Sequence, residues 1–163
     1  MSANPDLSAP FWHVRRLGQG DARRLADLNS LFAFVFKDTE SYACAPPSQA
    51  YLDRLLADET FIAIAALEQD VPIGGLVAYC LRKFEQARGE VYIYDLAVAP
   101  HRRRRGVATE MIRRLQPIAR DLGAWVIFVQ ADPGDDPAIA LYETLGEQET
   151  VLHFDIQVRP KPG

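Results

Sequence analysis

The sequence predicts an α/β fold in which an antiparallel meander is joined to a parallel strand pair, the mixed central sheet being flanked by helices. Three observations predict it. β-Branched and aromatic runs at 60–67, 72–81 and 90–98 are separated by short polar connections, the pattern of consecutive antiparallel strands. A helical repeat at 106–122 then leads into AWVIFVQA at 124–131, and strand, helix, strand requires a crossover that leaves 90–98 and 124–131 parallel. Ahead of the meander, Leu25, Leu28, Leu31, Phe32 and Val35 recur at helical spacing, giving an amphipathic helix with one face for a core.

The elements follow in chain order. FWHVRRL at 11–17 is the first strand, and Gly20-Asp21 precedes the helix that begins at Ala22. A short helix covers 48–57, after the Pro46-Pro47 turn. The three meander strands come next, then the helix to 122 with Gly123 past its end. Pro117 inside that helix removes a hydrogen bond and clashes one turn back, so a kink or break is predicted there. The DDP of 135–137 opens the next helix, with Asp136 as N-cap and Pro137 at the first helical position. TVLHFDIQV at 150–158 closes the sheet as a last strand. Residues 1–10 and 159–163 are polar and proline-containing, which predicts flexible tails around a single domain at 11–158.

Composition narrows the function. The chain has 163 residues and a formal net charge of -4, which suits one self-supporting core and opposes general binding to nucleic acid. Cys44 and Cys80 form neither a disulfide framework nor a zinc motif, and His13, His101 and His153 have no metal-ligand spacing, so no metal is expected. The start lacks an apolar signal core and no stretch has membrane-spanning length. These features predict a soluble cytoplasmic protein that binds no membrane.

HRRRRGVATEMI at 101–112 is the segment that asks for a ligand. Four arginines in a row can hold nucleic acid, hold a phosphorylated cofactor, or keep a turn solvated. The first reading lacks the neighbouring aromatic series that stacks bases. The second has support: ligands of such sheets gather where the connections leaving parallel strands diverge. Gly106 lets backbone come close, and the first N–H groups of the helix behind it are unpaired and carry the positive end of its dipole.

Arg103-x-x-Gly106-x-Ala108 resembles the Q/R-x-x-G-x-G/A signature of the GNAT N-acetyltransferases, in which this loop holds the pyrophosphate of acetyl-CoA. Its context agrees, because AIALYETLG at 138–146 matches the family's later A-x-x-L-Y-x-x-x-G helix. KFEQAR, EVYIYDLAV, VIFVQAD, GDDPAIALY and HFDI further resemble the GNAT-type aminoglycoside 3-N-acetyltransferases, over roughly residues 60–156. Pro117, Pro133 and the single strand after the last helix depart from that pattern.

The resemblance implies a GNAT fold with a bulged strand splayed from its parallel neighbour. It also implies that the backbone of Leu96, Ala97 and Val98 pairs with the pantetheine arm, while Arg103, Arg104, Arg105, Gly106, Val107, Ala108 and Thr109 hold the pyrophosphate. The Val98 N–H is then the oxyanion donor. Tyr142, on the residues alone an amphipathic core position shared with Ala138 and Leu145, becomes the proton donor beside the CoA sulfur.

The acceptor amine must lose a proton before it attacks, to a carboxylate directly or through water. Asp95, alone among apolar and aromatic neighbours in YIYDL, is either partnered or functional. With Asp135, Asp136 and Asp155 it is assigned to a rim that attracts a polycation. Asp136 serves equally well as a helix cap, Asp155 faces either solvent or the acceptor, and His153 is a hydrogen-bonded strand residue. Glu85 and Glu90 read as solvent-facing charges.

The activity implied is acetyl transfer from acetyl-CoA to the 3-amino group of an aminoglycoside, an antibiotic-resistance reaction. It proceeds in a ternary complex, as no cysteine is placed to carry the acetyl group. Homodimers are frequent among GNAT relatives. Competing readings are the same chemistry on a polyamine, a binding module that senses acyl-CoA without turnover, and a nucleic-acid module with salt-dependent affinity.

Overall fold

The β-branched runs pair into a five-stranded sheet of order β1-β2-β3-β4-β5, made of β1 (Trp12–Arg16), β2 (Phe61–Glu68), β3 (Val71–Arg82), β4 (Gly89–Val98) and β5 (Ala124–Val129). Each neighbouring pair among the first four strands is antiparallel, and β5 runs parallel to β4. The computed structural model describes residues 11–158, so the tails predicted at 1–10 and 159–163 lie outside the described residues. Two compact units are present, the first ending at Gln130 and the second starting at Ala131.

In the first unit, α1 (Ala22–Phe36), α2 (Thr39–Ala43) and α3 (Gln49–Ala57) separate β1 from β2, and α4 (Val107–Asp121) links β4 to β5. Gly74 and Gly75 show how helices reach both faces. A Cβ on Gly74 would meet Val107 and Met111 of α4, while one on Gly75 would meet Leu28 and Phe32 of α1 at 2.8–3.2 Å. Successive strand residues point to opposite faces, so α1 and α4 lie on opposite sides of β3. The α1 side holds Leu25, Leu28, Phe32, Leu52, Ala63, Ala65, Val77 and Ala97 in one buried cluster. On α4, Val107, Met111, Ile112, Leu115 and Ala119 are buried at helical spacing.

Two expectations need correction here. Of the kink or break expected at Pro117, the break is what is overturned: the helix continues to Asp121, because the apolar face it buries outweighs one absent N–H bond. The helix α2 was not expected. Its sequence, TESYA, is too short for a period, and it is started by Asp38, whose carboxylate accepts the Ser41 N–H at 2.9 Å.

The entry to α1 is fastened from outside the helix. Asp21 accepts a bidentate pair from the Arg15 guanidinium at 2.7 and 2.8 Å, plus the Gly18 N–H at 3.0 Å. The Arg15 bond, against a smaller burial cost, lowers the Asp21 carboxyl to about 2. A carboxylate depressed in the folded state stabilises above its unfolded value, near 3.8, and that stability is lost as pH falls through about 2. Asp21→Asn should cost about 1–2 kcal/mol at pH 7, allowing for the exposure of Arg15. Urea melts of the two proteins should differ at pH 7 and converge below about pH 2.

The second unit contains α5 (Asp136–Glu143), entered by a turn in which the Asp135 N–H donates to Asp132 C=O at 3.1 Å and Gly134 takes φ +96°. Its helix cap is Asp135, which accepts the Ala138 N–H at 3.3 Å, and not Asp136 as expected. A carboxylate three residues before that N–H has the reach to cap it, which places Asp136 inside the first turn. The strand expected at 150–158 is absent: residues 151–158 are irregular. Val151, Leu152, Phe154, Ile156 and Val158 are 60–96% exposed, so the alternating pattern finds neither a ladder partner nor a face to bury, and strand propensity alone does not make a strand.

Candidate active site

The meander positions the site by going out of register once. Val77 of β3 is opposite Asp95 but Ala78 is opposite Ile93, so Tyr94 is an extra residue and β4 bulges there. Pairing with β5 ends at the same place, the last partners being Ile93 and Val129. Beyond the bulge β4 has a strand neighbour on one side only among the described residues. The Ala99 N–H donates to Ile73 C=O at 2.8 Å, and antiparallel backbone alternates. The N–H and C=O groups of Leu96 and Val98 therefore face the side that β5 has left. Ala97 differs from its two neighbours: it is buried, and its backbone faces β3 opposite Gly75.

Asp95 sits at the opening of this gap and has a partner that sequence reasoning did not nominate. The Tyr42 hydroxyl, on α2, donates to Asp95 Oδ1 at 2.5 Å. Tyr42 is itself held from two directions: Asn29 Nδ2 donates to its carbonyl at 2.6 Å, and its ring packs against Phe32 and Phe36. Burial pushes the Asp95 carboxyl above its ordinary range and the Tyr42 bond draws it partly back. Burial, then the Asp95 hydrogen bond, holds the Tyr42 phenol well above its usual value, so it stays a donor. The two residues are 53 positions apart, and no linear pattern connects them.

The arginine run leaves β4 through a one-turn 3₁₀ helix, Pro100–Arg102. Arg102 forms an ion pair with Glu68 at the end of β2, and Arg103 Nε donates to Val98 C=O at 3.2 Å. Arg104 and Arg105 are exposed and have no ion-pair partner among the described residues. Arg104 takes φ +59° and Gly106 φ +75°, and the latter starts α4 with no side-chain cap. The first bond of α4 runs from Glu110 N–H to Gly106 C=O, so the N–H groups of Val107, Ala108 and Thr109 have no protein partner among the described residues. A row of unpaired donors at a helix start, beside open space at the Gly106 Cα, fits a pyrophosphate.

Thus Asp95, Leu96, Val98 and residues 103–109 share one end of the sheet in the first unit. The second unit carries the other nominated residues. Asp135 and Asp136 are exposed at the start of α5, and Tyr142 is half-buried near its end. Burial, then the Asp135 charge, raises the Tyr142 phenol to about 12. Asp155 lies on the irregular segment, where His153 Nε2 and Asp155 Oδ1 are 3.0 Å apart. Glu90, expected to face solvent, accepts the Trp125 Nε1–H at 3.2 Å.

Comparison with known proteins agrees with this geometry. The acetyltransferase (GNAT) family model matches residues 24–146. The structure is similar to that of the aminoglycoside acetyltransferase HMB0005 from an uncultured soil metagenomic sample, with 49% identity, a TM-score of 0.88, and coverage of 91% of this chain and 99% of that one. Another aminoglycoside acetyltransferase from an uncultured soil metagenomic sample, meta-AAC0020 in complex with sisomicin, is 29% identical with a TM-score of 0.84, covering 91% and 97%. AAC(6')-Iy in complex with the bisubstrate analogue CoA-S-monomethyl-acetylneamine shares the fold at 18% identity and a TM-score of 0.70, covering 91% and 98%. No curated protein matches the sequence. With a bulged β4 parting from β5, an uncapped α4 behind a glycine, and a family model spanning most of its length, this chain belongs to the GNAT acetyltransferase family.

Proposed function

We propose that the protein transfers an acetyl group from acetyl-CoA to the 3-amino group of an aminoglycoside antibiotic, by direct attack in a ternary complex. The observation that carries this reading is the end of β4, where a half-buried carboxylate, strand backbone that β5 does not pair and unpaired helix donors follow one another within fifteen residues. The aminoglycoside class rests on the relatives, of which one is 49% identical over nearly the whole chain and another holds sisomicin. The 3-amino position rests on the resemblance of YIYDLAV and GDDPAIALY to that enzyme class.

Acetyl-CoA, when bound, supplies a thioester carbonyl and a thiolate leaving group. Residues 103–109 hold its pyrophosphate, through the N–H groups at the start of α4 and the charges of Arg103, Arg104 and Arg105. Leu96 and Val98 offer backbone to its arm. Asp95 takes the proton from the acceptor ammonium; the freed amine forms the new C–N bond as the C–S bond breaks, and its surplus N–H proton passes through water to the departing thiolate. The Val98 N–H donates to the oxygen that becomes negative. Tyr142 donates toward the departing sulfur. Asp135, Asp136 and Asp155 add negative charge that favours a polycationic acceptor.

Gly106 tests the cosubstrate half of the proposal. Gly106→Val forces a β-branched residue to φ +75°, a strain of about 1–2 kcal/mol, and narrows the approach to the backbone donors. CoA affinity measured by calorimetry should fall about tenfold or more. Gly123→Val is the control, since Gly123 has φ +76° and equally open surroundings but lies past the far end of α4. Equal CoA affinity in the two folded variants would refute the pyrophosphate site. The reaction itself is tested by thiol release from acetyl-CoA with a panel of aminoglycosides and polyamines: release with the aminoglycosides is expected, and release with polyamines alone would reassign the acceptor.

A further inference from the structure

The face of the sheet that carries Asp95 continues into a row of aromatic rings that no helix among the described residues covers fully. Phe61 of β2 is opposite Tyr79 of β3, Tyr79 is opposite Tyr92 of β4, and Tyr92 is opposite Phe128 of β5. Directly opposed residues share a face, so these four rings cross four strands in one rung. The bulge adds a fifth. Tyr94 meets Tyr79 edge-on, with centroids 6.0 Å apart at 90°, and Tyr92 at 5.6 Å and 70°. Tyr92 in turn stacks on Phe128 at 4.8 Å and 5°.

Strand alternation puts Val77 and Tyr79 on the same side, and Val77 is opposite Asp95. The rung therefore lies beside the carboxylate, on the α1 face, beyond the cover that Phe32 and Leu28 give Gly75. Packing alone accounts for Phe61, which is buried, but not for Tyr94 and Tyr79, which are 63% and 37% exposed. Fixed aromatic faces next to a carboxylate match a ligand that is both ring-shaped and cationic. A ring face offers an apolar C–H surface to stack on, and an ammonium group is attracted to the π-face.

We propose that Tyr94, supported by Tyr79 and Tyr92, forms an acceptor subsite on which one aminosugar ring of the substrate lies, with an ammonium group over the aromatic face and a second amine directed to Asp95. This deepens the reading of the acceptor as an aminoglycoside and rests on it. The bulge then has two effects: it parts β4 from β5, and it turns an extra tyrosine onto the acceptor side. The Tyr92 hydroxyl donates to Gln130 Oε1 at 2.8 Å, which keeps the supporting ring in place.

The subsite needs the ring of Tyr94 and not its hydroxyl, which separates it from acid–base roles. Tyr94→Leu should raise KM for gentamicin about three- to thirtyfold, the span of a cation–π contact, with CoA affinity unchanged. Tyr94→Phe should keep KM within about twofold, since its π-face is intact. An active wild type with the same KM in Tyr94→Leu overturns the subsite and leaves the acetyltransferase reading standing. A wild type that releases thiol with no aminoglycoside overturns both. Sedimentation of each protein adds a separate outcome: a wild-type dimer that Tyr94→Leu dissociates, with KM unchanged, assigns the rings to a second copy of the chain and overturns the proposal.

Discussion

Asp95→Asn is expected to lower kcat/KM for the amine acceptor by about 10²- to 10⁴-fold at pH 7, the usual worth of a positioned general base, while acetyl-CoA binds as before. The amide keeps the shape and can still meet the Tyr42 hydroxyl, so packing is preserved and the loss reports proton acceptance. The pH dependence carries a sign that can be checked. Burial raises Asp95 in the folded protein, so with Asp95 as the base the acidic limb of kcat/KM is expected at higher pH than an unperturbed aspartate would give. Tyr42→Phe removes a bond that favours the carboxylate, which raises Asp95 further and moves that limb to higher pH. Steady-state profiles from pH 4 upward, on the wild type and Tyr42→Phe, test this. A limb that stays in place, or moves down, would remove Asp95 from the base role.

Tyr142→Phe is expected to reduce kcat by about ten- to a thousandfold, with CoA affinity and thermal stability little changed. The lower part of that range is favoured by the chemistry of the phenol. Burial raises it to about 12, whereas a free thiol has a pKa of about 8.5. Complete transfer of the phenol proton to a thiolate is therefore uphill. In the proposed role, Tyr142 would stabilise the departing sulfur by donating a hydrogen bond, with water completing protonation after the C–S bond has broken. The rate should accordingly show no loss from tyrosine ionisation up to about pH 10. A variant with native turnover would make Tyr142 a packing residue of α5.

How much of this was legible in the sequence depends on the range of the interaction that decides each feature. Helical spacing in Leu25, Leu28 and Phe32 and β-branched runs in β2 to β4 are local patterns backed by burial, so those elements lie where expected. The loop at Gly106 was legible for the same reason, because a glycine between strand and helix is a local necessity. The bulge at Tyr94 was expected only through the family resemblance: it is a relation between β3 and β4, and YIYDL read by itself is an unbroken strand. Two features were not legible at all. Tyr42 acquires meaning only when α2 brings it to Asp95. The cap of α5 fell one residue early, since adjacent aspartates are indistinguishable until the Ala138 N–H selects one. At 150–158 the local pattern was misleading, because alternation describes what a strand would bury and cannot supply its partner.

The measurement that bears most directly on the proposed chemistry is product identification. The protein is incubated with acetyl-CoA and gentamicin, and the new acetyl group is located by two-dimensional NMR. A single acetyl on the 3-nitrogen of the deoxystreptamine ring, with one thiol released per acetyl transferred, is the expected result. An acetyl group on a different nitrogen would contradict the regiochemistry, and an unmodified antibiotic beside acetylated polyamine would contradict the acceptor itself.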